Sequence, residues 1–298
     1  MLGWRLLISA ILVPAFAGLF WLDHRSGPAA PVLFLLCQVL AIRSTWEFCD
    51  LVTVRNLRPR FACAAVGSSL VVVAAWLIPW FGEAPALRET GPAGLILSAC
   101  VLWLLGSLAS QAVRFRAPGS EMETSASELL AVVYCGVLLA MTAQSRWLQG
   151  GAWGYLALGA LVITVKSGDI GGYTLGRLFG RRKMAPHLSP GKTWAGFVGA
   201  LLGAALGGWL WLRFATPWLA GPEWAVAHGR AIAWGLTFGL IGLVGDLCES
   251  LIKRDVGRKD AAALFPGFGG LLDLLDSVIY AGPVAWLWWL IWPPISAS

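Results

Sequence analysis

The sequence predicts an all-α polytopic membrane protein with about nine transmembrane helices and a cytoplasmic N-terminus. Of its 298 residues, 58% are hydrophobic and 13% are charged, whereas a soluble domain carries about 25% charged residues. The apolar stretches approach the roughly 20 residues that cross a bilayer, and they lack the alternation of a membrane β-barrel. Because backbone polar groups in lipid must be satisfied within their own segment, these stretches are predicted to be helices.

The nine predicted spans follow from the runs of apolar residues along the chain. They cover residues 5–22, 29–46, 61–81, 93–113, 127–144, 152–173, 194–213, 230–247 and 276–293. The first run lacks a convincing small-residue cleavage site and is followed by further spans. We therefore interpret it as a retained helix rather than a signal peptide.

Basic residues indicate the orientation, because Lys and Arg accumulate in cytoplasmic loops. With the N-terminus inside, most of the 22 basic residues fall on that side of the membrane. We expect an integral protein of a bacterial-type cytoplasmic (inner) membrane. Its polar motifs, and hence its active site, would face the cytoplasm, where nucleotides are found.

The chain is predicted to contain two regions. Residues 1–150 form N-terminal transmembrane helices, and residues 151–298 form a catalytic transmembrane region that carries the polar motifs. Acidic residues of the first region, including Glu47 and Asp50, are interpreted as solvated loop or interface charges. The six cysteines form no CxxC pair, and the three histidines lack zinc-ligand spacing, so neither a redox pair nor a zinc site is indicated.

The first polar motif is "KSGDIGGYTLGRLFGRRK", residues 166–183. Asp169 lies near the end of an apolar run, where an ionisable group is costly and is usually either functional or paired. Both alternatives stay open, since Lys166 is three residues away and could pair with it on a helix. Small residues in this motif would also allow close helix packing; they are Gly168, Gly171, Gly172 and Gly176.

The second motif is "HLSPGKTWAGF", residues 187–197. Its Gly-Lys-Thr resembles part of a P-loop, but Pro186 replaces the first glycine of that pattern and no strand is predicted before it. Ser189 or Thr193 could cap the helix that follows, and Lys192 would stand beside free N–H groups suited to an anion. The alternative is an ordinary capped membrane helix with a snorkelling lysine.

The third motif begins at "GDLCESLIKRDVGRKD", residues 245–260. On a helix, one polar face would contain residues spaced at i, i+3, i+4 and i+7, namely Asp246, Glu249, Ser250 and Lys253. The turn "FPGFGG" then offers glycines that permit close backbone approach to a ligand, namely Gly267, Gly269 and Gly270. Asp273 and Asp276 follow on one face of a new helix.

These carboxylates, together with Asp246, form a hard-oxygen set suited to Mg²⁺, and the neighbouring basic residues would hold phosphate oxygens. No paired nucleophile and base is evident. The pattern therefore favours phosphoryl or nucleotidyl transfer between a soluble nucleotide and a lipid, because such chemistry relies on positioning and charge neutralisation.

Four stretches carry a family resemblance, in order along residues 160–285: "DIGGY", "SPGKTWAGF", "GDLCESLIKR" and "KDAAALFPGFGGLLDLLDS". They resemble the phosphatidate cytidylyltransferases, also called CDP-diacylglycerol synthases. The resemblance implies the reaction of CTP with phosphatidate to give CDP-diacylglycerol and pyrophosphate in phospholipid biosynthesis. It implies Mg²⁺, with a second monovalent or divalent cation as an option. The expected partners are CTP, phosphatidate and membrane lipid, without nucleic acid, and a homodimer is an open alternative.

The resemblance also implies residue roles. Asp246 and Asp273 would be metal ligands, and Asp276 would support them. Residues at signature positions would shape the catalytic phosphate site: Ser250, Lys253, Arg254, Lys259 and Asp260. Positions in the glycine turn and the two earlier motifs would bind substrate: Asp169, Ser189, Lys192, Thr193, Gly267, Gly269 and Gly270. The chain departs from the family pattern at Phe268 and Leu274, where histidine and arginine are usual.

Two other functions compete with this interpretation. A CTP-dependent polyprenol or phytol kinase shares membrane helices and the nucleotide, but it transfers phosphate without cytidine. An ion-coupled transporter would use the same aspartates as intramembrane ion sites. No inverted repeat supports the transporter, and the charged groups lie at one end of the spans.

Overall fold

The computed structural model describes residues 2–55, 57–82, 84–116, 118–262, 264 and 269–297, and the side chains from residue 14 onwards. Every predicted span coincides with helical structure there. The α-helices are α1 (Leu2–Arg25), α2 (Pro31–Val52), α3 (Phe61–Phe81), α4 (Pro85–Arg114), α5 (Glu121–Ala131), α6 (Leu138–Ala143), α7 (Trp153–Phe179), α8 (Trp194–Leu219), α9 (His228–Asp255) and α10 (Leu271–Ile291). A π-helical turn, Val132–Val137, joins α5 to α6, and 3-10 turns cover Thr53–Arg55 and Gln144–Trp147.

The helices are suited to a lipid solvent, and the all-α polytopic prediction is confirmed. Within the described residues, seven helical segments are long and apolar enough to cross a membrane: Pro31–Arg55, Phe61–Phe81, Pro85–Arg114, Glu121–Trp147, Trp194–Leu219, His228–Asp255 and Leu271–Ile291. Large apolar side chains remain exposed on them, with Leu102 at 68% and Trp218 at 88%. Helices α1 and α7 are not among the seven, so the count of nine spans and the cytoplasmic N-terminus stay predictions.

Two compact units divide the chain. The first contains Met1–Gln144 and Asp255–Leu274, and the second contains Ser145–Arg254 and Leu275–Ser298. The polar segment 255–274 therefore packs with the N-terminal helices. The predicted boundary near residue 150 stays a proposal.

In the first unit, polar side chains join neighbouring helices inside an apolar core. The hydroxyls of Thr45 on α2 and Ser68 on α3 are 2.8 Å apart. At the start of α3, Arg60 forms a 2.9 Å ion pair with the buried Glu128 of α5. The hydrogen bond to Glu128 raises the pKa of the Arg60 guanidinium above its ordinary value. Glu128 also accepts a hydrogen bond from the Arg60 backbone N–H at 2.8 Å, so this carboxylate is well satisfied.

In the second unit, α7 and α8 pack closely through glycines. A Cβ added at Gly171 would lie 2.2 Å from the carbonyl oxygen of Gly199, and one at Gly203 would lie 2.5 Å from that of Ser167. The predicted close packing of this glycine-rich motif is therefore confirmed. Aromatic rings fill the core nearby, where the Trp234 and Phe238 ring centroids are 4.0 Å apart.

Short strands complete the second unit. β1 (Lys183–Ala185) pairs with β2 (Ser189–Thr193), and β3 (Trp224–Val226) pairs with β4 (Ile295–Ala297), both antiparallel. The expectation that no strand precedes the Gly-Lys-Thr sequence was wrong, because these residues themselves form the second strand of a hairpin. A two-stranded antiparallel hairpin is not the parallel sheet of a P-loop fold, so the rejection of that fold agrees with the structure.

Candidate active site

Three carboxylates from two helices form a cluster in the second unit. Asp246 and Glu249 lie on α9 and Asp276 lies on α10, and one oxygen from each falls within 4.8 Å of the others. The spacing of i and i+3 places the first two on one helix face. Gly245 allows α10 to come close, because a Cβ there would lie 2.8 Å from the Tyr280 Cβ and 3.2 Å from the Ser277 Cα.

The cluster is electrostatically crowded. Glu249 and Asp276 are buried, whereas the side chain of Asp246 keeps 39% of its exposure. Like charges this close disfavour ionisation of all three groups unless cations compensate them. Carboxylate oxygens are the ligands preferred by hard divalent cations. The donor set and its partial opening therefore fit a site that could hold a divalent metal ion.

Lysines from two elements contact the cluster. The Lys192 Nζ lies 2.8 Å from the Asp246 Oδ2 and donates to the Leu243 carbonyl at 3.2 Å. Lys253, one helical turn after Glu249, forms a buried ion pair with it. The structure therefore joins the second and third sequence motifs through Lys192 and Asp246.

The first motif also lies near this cluster. Lys166 and Asp169 form an ion pair at 3.0 Å on α7, which is the pairing that the spacing allowed. Both groups interact electrostatically with Asp276. Asp169 is thus paired, and it also contributes to the charge around the carboxylates. A paired Asp169 and a functional Asp169 are therefore compatible alternatives.

The hairpin ends in a capped helix. Thr193 is the N-cap of α8, and its Oγ1 accepts a hydrogen bond from the Gly196 N–H at 3.1 Å. Of the two predicted caps, Thr193 rather than Ser189 takes this position. Arg254, at the end of α9, donates to the Leu188 carbonyl at 3.3 Å. Ser250 is buried on α9.

The remaining predicted site residues belong to the segment 255–274 of the first unit. The Asp273 Oδ2 accepts hydrogen bonds from the N–H groups of Ala261 at 2.9 Å and Gly270 at 2.6 Å. Gly269 has φ +92°, a left-handed conformation that favours glycine. Lys259 and Asp260 are exposed. Gly267 and Phe268 lie outside the described residues.

Sequence reasoning missed two carboxylates. Glu249 was placed on the polar face of α9 but was not proposed as a ligand, although its i+3 spacing from Asp246 was a usable signal. Glu47 was interpreted as a solvated or interface charge, and that interpretation was wrong. It is fully buried and accepts hydrogen bonds from the Leu271 and Leu272 N–H groups at 2.9 and 2.7 Å.

The fold and the cluster together define a helical membrane protein with a site of crowded carboxylates bordered by two lysines. Comparison with known proteins identifies the class. The model of the cytidylyltransferase family matches residues 4–292, so the chain belongs to this family and is a nucleotidyltransferase.

The chain is also similar to individual proteins named phosphatidate cytidylyltransferase. One from Mycobacterium bovis is 31% identical over 223 residues, covering 72% of this chain and 67% of the relative. One from Chlamydia pneumoniae is 31% identical over 257 residues, covering 83% and 79%. One from Haemophilus influenzae is 40% identical over 121 residues, covering 41% of each chain. The family resemblance inferred from the motifs is thereby confirmed.

Proposed function

We propose that the protein is a phosphatidate cytidylyltransferase, which converts CTP and phosphatidate to CDP-diacylglycerol and pyrophosphate at a site open to the cytoplasm. The observation that carries the proposal is the three-carboxylate cluster bordered by Lys192 and Lys253, within helices suited to lipid. The names of the relatives supply the substrates. A membrane location suits phosphatidate, whose acyl chains stay in the bilayer.

In the proposed reaction, a phosphate oxygen of phosphatidate forms a bond to the α-phosphorus of CTP. The bond from that phosphorus to the bridging oxygen of the β-phosphate breaks, and pyrophosphate leaves with the electron pair. An ionised phosphate is already a nucleophile, so the step requires no general base. This agrees with a described site made of carboxylates, lysines and hydroxyls.

The carboxylates of Asp246, Glu249 and Asp276 would hold a divalent cation, for which we propose Mg²⁺. When bound, such a cation neutralises phosphate charge and stabilises the departing pyrophosphate. Lys192 and Lys253 would bind phosphate oxygens and orient the nucleotide. Asp273 is a further candidate ligand by family resemblance, and it also accepts hydrogen bonds from the backbone N–H groups of Ala261 and Gly270.

The proposal is tested with purified protein in phospholipid vesicles containing phosphatidate, supplied with Mg²⁺ and CTP labelled in the base. We expect label in the lipid fraction and an equal amount of released pyrophosphate. A polyprenol or phytol kinase would instead leave the labelled base in CDP and would require an alcohol acceptor. Absence of both products from folded protein would contradict the proposal.

A further inference from the structure

The N-terminal helices contact the segment 255–274 through a buried carboxylate. Glu47 of α2 accepts hydrogen bonds from the Leu271 and Leu272 N–H groups, one on each oxygen. Arg43, one turn earlier on α2, lies 3.0 Å from the Glu47 Oε1. These N–H groups open α10 and have no partner within their own helix. All of these residues belong to the first compact unit.

The sequence at the start of α10 is adapted to this contact. A Cβ added at Gly270 would lie 2.4 Å from the Glu47 Oε2. The glycine therefore leaves room for the remote carboxylate and offers no side chain that could cap the helix locally. The close backbone approach expected at this glycine is made by a carboxylate of the protein itself.

Two further ion pairs connect the end of α2 to the same segment. Arg258 lies 2.6 Å from the Asp50 Oδ2, and Arg55, just after α2, lies 2.8 Å from the Asp255 Oδ1. These pairs are partly exposed, so each contributes little alone. Glu47 differs because it is fully buried and its hydrogen bonds are charge-assisted, which makes them stronger.

We propose that Glu47 is a positioning residue for the cytidylyl-transfer reaction. It fixes Gly270 and the first turn of α10, which carries Asp273, and so gives the N-terminal helices a part in catalysis. The inference rests on the proposed function. Glu47 could instead be a place-holder that a substrate phosphate displaces from these N–H groups. Its complete burial and its ion pair with Arg43 favour a permanent contact.

The central test is Glu47→Gln, with Glu128→Gln as the matched control. Each of the two carboxylates is fully buried, pairs with one arginine and accepts hydrogen bonding from the backbone. Glu128, however, bonds to Arg60 and Ser107 rather than to the segment 255–274. The amide leaves one of the two α10 N–H groups without an oxygen acceptor. We expect kcat to fall about tenfold or more in Glu47→Gln and to stay within about twofold in Glu128→Gln, at comparable losses of thermal stability.

Gly270→Ala provides a second variant if Glu47→Gln does not fold. Its methyl group would displace the carboxylate while α2 stays unchanged, so kcat should fall here too. Combining the two substitutions should cost less than the sum of the single effects, because both remove one interaction.

Amide hydrogen exchange of the peptide containing Leu271 and Leu272 gives a readout that does not need activity. We expect faster exchange there in Glu47→Gln than in Glu128→Gln. Equal exchange, or equal losses of kcat in the two variants, would overturn the positioning role. Tighter CTP binding by Glu47→Gln would overturn it in favour of the place-holder. If the wild type makes no CDP-diacylglycerol, the proposed function fails, whereas the exchange measurement still decides whether Glu47 holds the first turn of α10.

Discussion

The two compact units use buried carboxylates in different ways. In the first unit, Glu128 and Glu47 each pair with an arginine and accept hydrogen bonds from backbone N–H groups. In the second unit, Asp246, Glu249 and Asp276 lie within 4.8 Å of one another. A carboxylate that is satisfied by an arginine and by N–H groups is compatible with a stable fold, whereas crowded carboxylates oppose folding and are typical of functional sites. We infer from this contrast that Glu128 and Glu47 hold the structure around them and that the three-carboxylate cluster serves the chemistry directly.

Removal of divalent cations is expected to have the largest effect on activity, because it acts on the carboxylate cluster of the second unit. A chelator should abolish cytidylyl transfer, and added Mg²⁺ should restore it. Mg²⁺ at about 100 times its dissociation constant should also stabilise the wild type by about 2.7 kcal/mol, because it binds only the folded site. The measurements are product formation and thermal unfolding in detergent. Full activity in the chelator would show that the carboxylates serve another purpose.

Asp276→Asn should lower activity about a hundredfold or more, while thermal stability stays equal or rises because repulsion in the cluster is relieved. Glu128→Gln should give the opposite result, with activity retained and about 3 kcal/mol of stability lost, since it leaves Arg60 without its charged partner. Both variants are compared by turnover and by unfolding temperature. If the two variants showed the same changes in turnover and in unfolding temperature, the proposed difference between the carboxylates of the two units would be contradicted.

Lys192→Gln should have an intermediate effect. Lys192 contacts Asp246 at 2.8 Å, so we expect it to bind nucleotide phosphate next to the carboxylates. Its loss should raise the KM for CTP about tenfold, as for a charged hydrogen bond. Lys166→Gln, in the neighbouring ion pair with Asp169, is the comparison. A KM that changes only in the Lys166 variant would contradict this role of Lys192.

Thr193→Ala should have the smallest effect. The substitution removes the N-cap of α8 and should cost about 1 kcal/mol of stability. Thr193→Ser should restore most of it, because the hydroxyl can again accept from the Gly196 N–H. Turnover at low temperature should change little. A large loss of turnover in the serine variant would indicate that Thr193 touches substrate.

The sequence predicted the helices well and the contacts between them only in part. Each apolar run became a helix, because lipid leaves the backbone no alternative. The polar face of α9 followed from its helical periodicity. Glu249, however, resembles half of an ordinary i, i+4 ion pair with Lys253, so its sequence position does not identify it as a ligand. The proximity of Asp276 to this face depends on the close packing of α9 and α10 at Gly245. Glu47 meets Leu271 more than two hundred positions later in the chain. A local sequence pattern cannot predict this contact, because the contact depends on how α2 packs against a distant part of the chain.

We propose that Glu249 completes the cation site with Asp246 and Asp276. The most direct test is the Mg²⁺ dependence of cytidylyl transfer in Glu249→Gln, with Asp273→Asn measured in parallel. We predict that the Mg²⁺ concentration for half-maximal activity rises at least about tenfold in Glu249→Gln, as expected for the loss of a charged ligand. A wild-type Mg²⁺ dependence in Glu249→Gln, with a shifted one in Asp273→Asn, would contradict the claim and favour the ligand set implied by the family motif.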